Sequence, residues 1–335
     1  MEPIDTARRV PRRLRDPLAP LLAVGLVVMW SSGFVGAELG TRHAPTTTLL
    51  AWRFLVVAAL LVAWCLWRGV RMDRRDLALH GTVGLLAQAG YLYGVVAAAE
   101  HGVSAGTSAL VAALQPMVAT ALAVPLLGEA VRRRQAVGLV VGLGGVALVV
   151  GSDLVGAGAA PWWAYLLPLG AMLSLVAATL TERRTRPGGG LIEALAVQCS
   201  VSAVLFVGLA TVTGTLAPPA DPGFWGAVAW VVVLSTLGGY GLYWINLARS
   251  GVARVSALLY LTPPTTMLWT WLMFGDPVSA GTLAGSGVCL AAVWLVRSGH
   301  PGRTRDAAAG ESRRPRDEGT SAEPLSPDPD RRPLR

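Results

Sequence analysis

A single arginine interrupts the apolar run LLAWRFLVVAALLVAW at residues 49–64. The guanidinium of Arg53 stays charged at physiological pH and can hold a carboxylate through two parallel N–H bonds. Other polar and aromatic side chains stand inside comparable apolar runs. Trp30, Ser31 and Ser32 form a polar step. Gln88 and Tyr91 are three residues apart, a spacing that shares one helix face, and Tyr240, Tyr243 and Trp244 share a face by the same rule. Gln115-Pro116 and Thr262-Pro263-Pro264 place prolines in mid-run, with Tyr260 nearby. Together these types suit reversible binding of an amphipathic organic molecule, with aromatic faces for its apolar body and a few donors for its polar end. The candidate substrate-binding residues are Trp30, Ser32, Arg53, Gln88, Tyr91, Gln115, Tyr240, Tyr243 and Tyr260. Pro116 and Pro263 are candidate hinges, because a mid-helix proline frees a carbonyl one turn back and bends the helix.

Each of these features has an architectural alternative. Arg53 lies about eight residues into its run, roughly 12 Å from the boundary at helical rise. Isolated in lipid it would cost at least about 2.5–3.5 kcal/mol, so it must face protein or water. It either snorkels outward to pair with Glu38, or it lines a cavity and holds a carboxylate. The serine step serves equally to let helices approach closely. Tyrosine and tryptophan also form belts at membrane boundaries, which suits Trp162, Trp163 and Trp225.

Several chemistries are excluded. The chain has no P-loop, no G-x-S-x-G and no H-E-x-x-H, so nothing points to ATP hydrolysis, a serine nucleophile or a zinc protease. Cys65, Cys199 and Cys289 fall inside apolar runs without metal-ligand or disulfide spacing. His43, His80, His101 and His300 fall at run ends or in the tail and read as solvated. An enzyme working on a lipid-linked substrate would need carboxylates or histidines clustered at one interface, and the sequence has no such cluster. No metal and no cofactor is expected.

The elements that must position these residues are membrane spans. Of 335 residues, 53% are hydrophobic and 14% charged, against about 25% charged in ordinary soluble chains. Ten apolar stretches, near 18–39, 45–67, 77–99, 103–127, 134–151, 161–181, 191–213, 223–247, 252–274 and 279–297, are each long enough to cross a bilayer as a helix. The first is longer than a secretory h-region and lacks a cleavage site, so it reads as a retained helix.

All 28 basic residues are arginines. They cluster before the first stretch and after the second, fourth, sixth, eighth and tenth, which puts both termini in the cytoplasm by the positive-inside rule. This spacing also accounts for a basic composition without a nucleic-acid partner. The tail from 298 to 335 is rich in Pro, Arg, Asp and Glu and reads as disordered.

The chain also repeats itself. GVSAGTSALVAALQPMVATALAVPLLGEAV at 102–131 aligns with GVARVSALLYLTPPTTMLWTWLMFGDPV at 251–278 once a two-residue gap is placed before the proline. The copies are five stretches apart, an odd number, so the second enters the membrane upside down. Inverted repeats place a binding site near the midplane between the halves. The expected fold class is therefore an all-α membrane protein of ten transmembrane helices as two inverted five-helix repeats. The expected divisions are 1–17 (tail), 18–151 and 161–297 (repeats) and 298–335 (tail). Gly138, Gly142 and Gly145, with Gly281 and Gly285, offer small-residue stripes for helix packing or a homodimer.

With these residues in hand, the chain resembles the drug/metabolite transporter superfamily and, within it, the EamA family. The resemblance is carried by WSSGFVGAELG at 30–40, AWRF at 51–54, SALVAALQPMVATALAVPLLGEAV at 108–131 and SALLYLTPPTTMLWTWLMFGDPV at 256–278. It implies a secondary transporter in the cytoplasmic membrane, with a central cavity open to one side at a time. It further implies export of small organic metabolites, amino acids or related compounds, and as partners a small-molecule substrate and the lipid bilayer. Uptake and a non-transport role remain open on the residues alone.

Overall fold

In lipid a backbone N–H or C=O has no water to bond, so an apolar run must satisfy its own backbone. Every regular element among the described residues is accordingly helical. The computed structural model describes residues 18–127, 133–155, 160–250, 252–276 and 279–297. Glu129, His300 and both tails lie outside the described residues.

The helices are α1 (Leu18–Thr41), α2 (Thr46–Trp67), α3 (Arg74–Gly84), α4 (Tyr91–Glu100), α5 (Ala105–Ala113), α6 (Gln115–Leu127) and α7 (Arg133–Val155). They continue as α8 (Leu166–Thr185), α9 (Leu191–Val212), α10 (Pro222–Trp230), α11 (Tyr240–Ser250), α12 (Val252–Leu259), α13 (Thr262–Phe274) and α14 (Ala280–Arg297). Two π-helical segments, Leu85–Gly90 and Val231–Gly239, join α3 to α4 and α10 to α11.

Eight continuous stretches are long and apolar enough to cross a membrane: Leu18–Thr41, Thr46–Trp67, Arg74–Glu100, Ala105–Ala123, Ala136–Leu154, Trp162–Thr185, Leu191–Val212 and Pro222–Ser250. The ninth expected stretch is divided into α12 and α13, and the tenth holds a shorter apolar helix, Ala280–Ala292. Outward faces carry exposed Val204, Val212, Leu66 and Trp294, a surface suited to acyl chains rather than water.

Two buried clusters hold the bundle. One gathers Phe34, Leu49, Leu50, Phe54, Val96, Phe206 and Phe224, with the rings of Phe54 and Phe206 stacked at 5.8 Å across α2 and α9. The other gathers Leu110, Leu114, Met117, Val149, Met172 and Cys289. The glycine stripes serve contacts within the chain. A Cβ on Gly145 would stand 2.6 Å from Cys289 Sγ, and one on Gly285 would stand 2.6 Å from the Gly145 carbonyl, so α7 and α14 meet backbone to backbone.

Short connections are pinned at the end of the bundle that carries His43. His43 Nδ1 pairs with Asp221, which also caps α10 by accepting from Gly223 N–H. That backbone bond, and then His43, hold the Asp221 carboxyl below its usual range. The stability that the depressed carboxyl contributes is therefore present above the ordinary aspartate value and is lost as acid protonates Asp221. At the opposite end His80 is buried and its Nε2 donates to the Gly188 carbonyl. His101 Nδ1 bonds the Ala97 carbonyl, and its ring sits on Trp163. Reading these histidines as solvated is thus corrected for His80 alone: His43 is half-buried and His101 is exposed.

One tie links three helices. Ser104-Ala-Gly-Thr107 and Ser279-Ala-Gly-Thr282 are the same four-residue word, and each serine accepts from the backbone N–H of its threonine. Both threonine hydroxyls then donate to one carboxylate, Asp153 near the end of α7, at 2.6 Å from Thr107 and 3.3 Å from Thr282. Bonds to a charged acceptor contribute about 1.5–3 kcal/mol. Asp153→Ala is expected to lower the melting temperature of the detergent-purified protein by several degrees, read by tryptophan fluorescence. An unchanged melting temperature would mean that the tie adds no stability.

Candidate functional site

The polar groups of the apolar runs converge where α1, α2, α4 and the second π-helical segment meet. A cavity there is lined by Trp30, Gly33, Phe34, Arg53, Tyr91, Leu92, Val95, Ser235 and Tyr240. Four of the nine residues expected at a ligand therefore share one wall: Trp30, Arg53, Tyr91 and Tyr240. Gln88 stands behind it and donates from Nε2 to the Tyr240 hydroxyl at 2.7 Å, which leaves the phenolic proton free to be donated onward. Tyr243 lies on the far side of Trp30, whose ring touches Tyr240 at 5.7 Å and Tyr243 at 5.6 Å.

The remaining three lie outside these walls. Ser32 is fully buried and its hydroxyl donates to the Met29 carbonyl of its own helix. Gln115 Nε2 donates to Thr179 on α8. Tyr260 packs beside the cluster of Leu110 and Met172. Pro116 and Pro263 each occupy the second position of a helix, α6 and α13, directly after a break in its stretch. A proline costs little there, because the first N–H groups of a helix have no intrahelical partner.

Arg53 does not reach Glu38. That carboxylate pairs with Arg42 one turn later in the chain, at 2.7 Å, the shorter i,i+4 route. Arg53 is only 4% exposed. One terminal nitrogen donates to Thr236 Oγ1 at 3.1 Å and, at 3.4 Å, to Ser235 Oγ. Its Nε is buried with no partner among the described residues. Its ionisable neighbours are Tyr240, Cys199 and Tyr91, none of them a carboxylate. A cation is thus held by hydroxyls without a counter-charge.

Ser235 and Thr236 are the residues that sequence reading missed. They lie on a π-helical segment, whose extra residue per turn moves side chains off the three-and-four spacing. The signal was present as a matched pair. Each π-helical segment ends in glycine followed by tyrosine, Gly90-Tyr91 and Gly239-Tyr240, and each places that tyrosine at the cavity. Glycine also sets the approach of α1. A Cβ on Gly33 would lie 2.7 Å from Ser235 Oγ, and one on Gly36 would lie 2.5 Å from Val231 Cγ1.

The cavity is narrow. Its volume is about 40 Å³, enough for a few waters and too little for an organic molecule. Admission of a ligand therefore requires the helices around it to part. A separate hollow between α6 and α8, lined by Leu122, Leu126, Leu173, Leu180 and Arg184 among others, is apolar apart from Thr181 and Arg184.

Thr236→Val keeps the shape of the side chain but sets hydrocarbon against the buried guanidinium. It is expected to cost about 1–3 kcal/mol in chemical denaturation, with Thr236→Ser close to the native protein. Equal stability of all three would show that the hydroxyl does not hold Arg53.

The likeness to known proteins spans this whole bundle. The EamA-like transporter family matches residues 17–151 and 162–298. The uncharacterized inner membrane transporter YedA of Escherichia coli K12 is 26% identical over 287 residues, covering 84% of this chain and 92% of its own. A probable amino-acid metabolite efflux pump of Salmonella typhimurium LT2 is 24% identical, covering 82% and 93%. A probable terminal-alkyne amino-acid exporter of Streptantibioticus cattleyicolor is 28% identical, covering 84% and 94%. A solved crystal structure at 23% identity shares the fold with a TM-score of 0.58, covering 83% of this chain and 95% of that one. With two matches that together take in nearly all of the apolar chain, this multi-pass membrane protein belongs to the EamA-like transporter family.

Proposed function

We propose that the chain is a secondary transporter that exports small organic metabolites, amino acids or related compounds, across the cytoplasmic membrane by alternating access. The observation that carries this reading is the buried, uncompensated Arg53 in a cavity whose walls come from both family-matching segments. Trp30, Arg53 and Tyr91 stand in the first, and Ser235 and Tyr240 in the second. A site built between two segments is exposed to one side or the other as they rock against each other. The names of the Salmonella and Streptantibioticus relatives support export and the amino-acid class.

The reading includes ten spans, the eight continuous ones together with α12–α13 and α14, arranged as inverted repeats over 18–151 and 161–297. The arginine clusters support both termini in the cytoplasm, which makes the end bearing His43 and Trp163 the outer one. Pro116 and Pro263, each at a helix break five spans apart, serve as the hinges. The cavity is too narrow for cargo, which suits a closed stage of the cycle, and the substrate gradient or protons supply the driving force.

The test is to express the chain in a bacterium and profile the spent medium beside Arg53→Ala at equal membrane abundance. The native chain is expected to enrich one or a few metabolites, and the variant to lose roughly tenfold or more of that flux, since removing a buried charge partner costs about 2–5 kcal/mol. Equal export by both would remove Arg53 from the transport site. No change in the medium from either would count against export. Deleting residues 300–335 is expected to leave flux intact.

A further inference from the structure

The relatives' names speak of amino acids, which carry both a carboxylate and an ammonium. The cavity provides for only one of the two. Its polar contributors are one fixed cation, the Arg53 guanidinium, and the hydroxyls of Tyr91, Tyr240 and Ser235, of which Tyr240 and Ser235 already accept from Gln88 and Arg53. No aspartate or glutamate lines it among the described residues. Of the carboxylates at the nearer end of the bundle, Glu38 pairs with Arg42 through one oxygen, Glu100 with Thr46, Asp153 with Thr107 and Thr282, and Asp221 with His43.

An ammonium can also be held by carbonyls freed where helices depart from α geometry. Around this cavity several such carbonyls already accept from side chains of the protein. Thr236 donates to Val231 O, Ser174 to Leu86 O, Ser32 to Met29 O and Trp230 Nε1 to Ser32 O. Aromatic faces attract cations, but an ammonium on Trp30 or Tyr240 would stand beside the unneutralised guanidinium. A buried ammonium beside a cation and without an anionic partner is disfavoured.

We propose that this transporter recognises its cargo by a carboxylate and an apolar body and makes no provision for an amine, so that deaminated or N-blocked acids bind better than the free amino acids. The carboxylate takes the Arg53 guanidinium where it lines the cavity and the proton of the Tyr240 hydroxyl, and the apolar body lies against Trp30, Phe34 and Val95. This rests on reading the cavity as the transport site.

The test uses the full-length protein in detergent and three probes with one shared ring: 3-phenylpropanoate, L-phenylalanine and 2-phenylethylamine. Binding is read from thermal stabilisation and from tryptophan fluorescence. The acid is expected to bind about tenfold or more tightly than L-phenylalanine and the amine not at all, with Arg53→Gln abolishing the acid's effect. Where Arg53→Gln fails to fold, the ranking of the three probes on the native chain decides alone. L-Phenylalanine equal to or tighter than the acid, binding of the amine, or silence from all three would overturn the proposal. Export of free amino acids in the spent-medium experiment, together with a reversed ranking, would sink this selectivity and leave transport standing. The expected ranking without any flux would sink transport and leave the binding preference standing.

Discussion

A charge buried in a membrane protein must be answered by something, and among the described residues Arg53 is answered by two hydroxyls and the ring of Phe54, with no carboxylate beside it. Moving a guanidinium-sized ion out of water costs several kcal/mol even after relaxation. Much of the surrounding structure follows from limiting that cost. The second π-helical segment turns Ser235 and Thr236 toward the guanidinium, glycines at 33 and 36 let α1 close over that segment, and Gln88 fixes the Tyr240 hydroxyl. What remains, among the described residues, is a cation short of one partner.

This arrangement also separates architecture from recognition. The stacked Phe54–Phe206 pair and the glycine contact of α7 with α14 are dry and closely fitted. The cavity is lined instead by α1, α2, α4 and the second π-helical segment with Tyr240 after it, and only Arg53, next to Phe54 in the chain, joins it to the stacked pair.

Much of this was legible in the sequence. Apolar length and low charge give the membrane helices because lipid leaves the backbone no other solution. Proline positions foretell the breaks before α6 and α13. Trp30, Arg53, Tyr91 and Tyr240 are recognisable because each is costly or bulky in its run. The partners of Arg53 were not legible. A serine and a threonine in an apolar helix are unremarkable, and their direction depends on a π-helical turn that period-3.6 reasoning does not contain. Glu38 misled for a related reason. It sits at a suitable depth for Arg53, yet the competing arginine is four residues away in the same chain. Ser32 misled because a hydroxyl in lipid readily bonds its own helix backbone.

The carboxylate of Asp153 has a position worth weighing against the family boundaries. Its two donors belong one to each matching segment, Thr107 to 17–151 and Thr282 to 162–298. Asp153 itself falls in the connector between the segments. A chimaera cut at residue 151 would keep both threonine caps and discard the acceptor that they share. The connector is therefore a working part of the molecule: the two matching segments are tied here through a residue that neither of them contains.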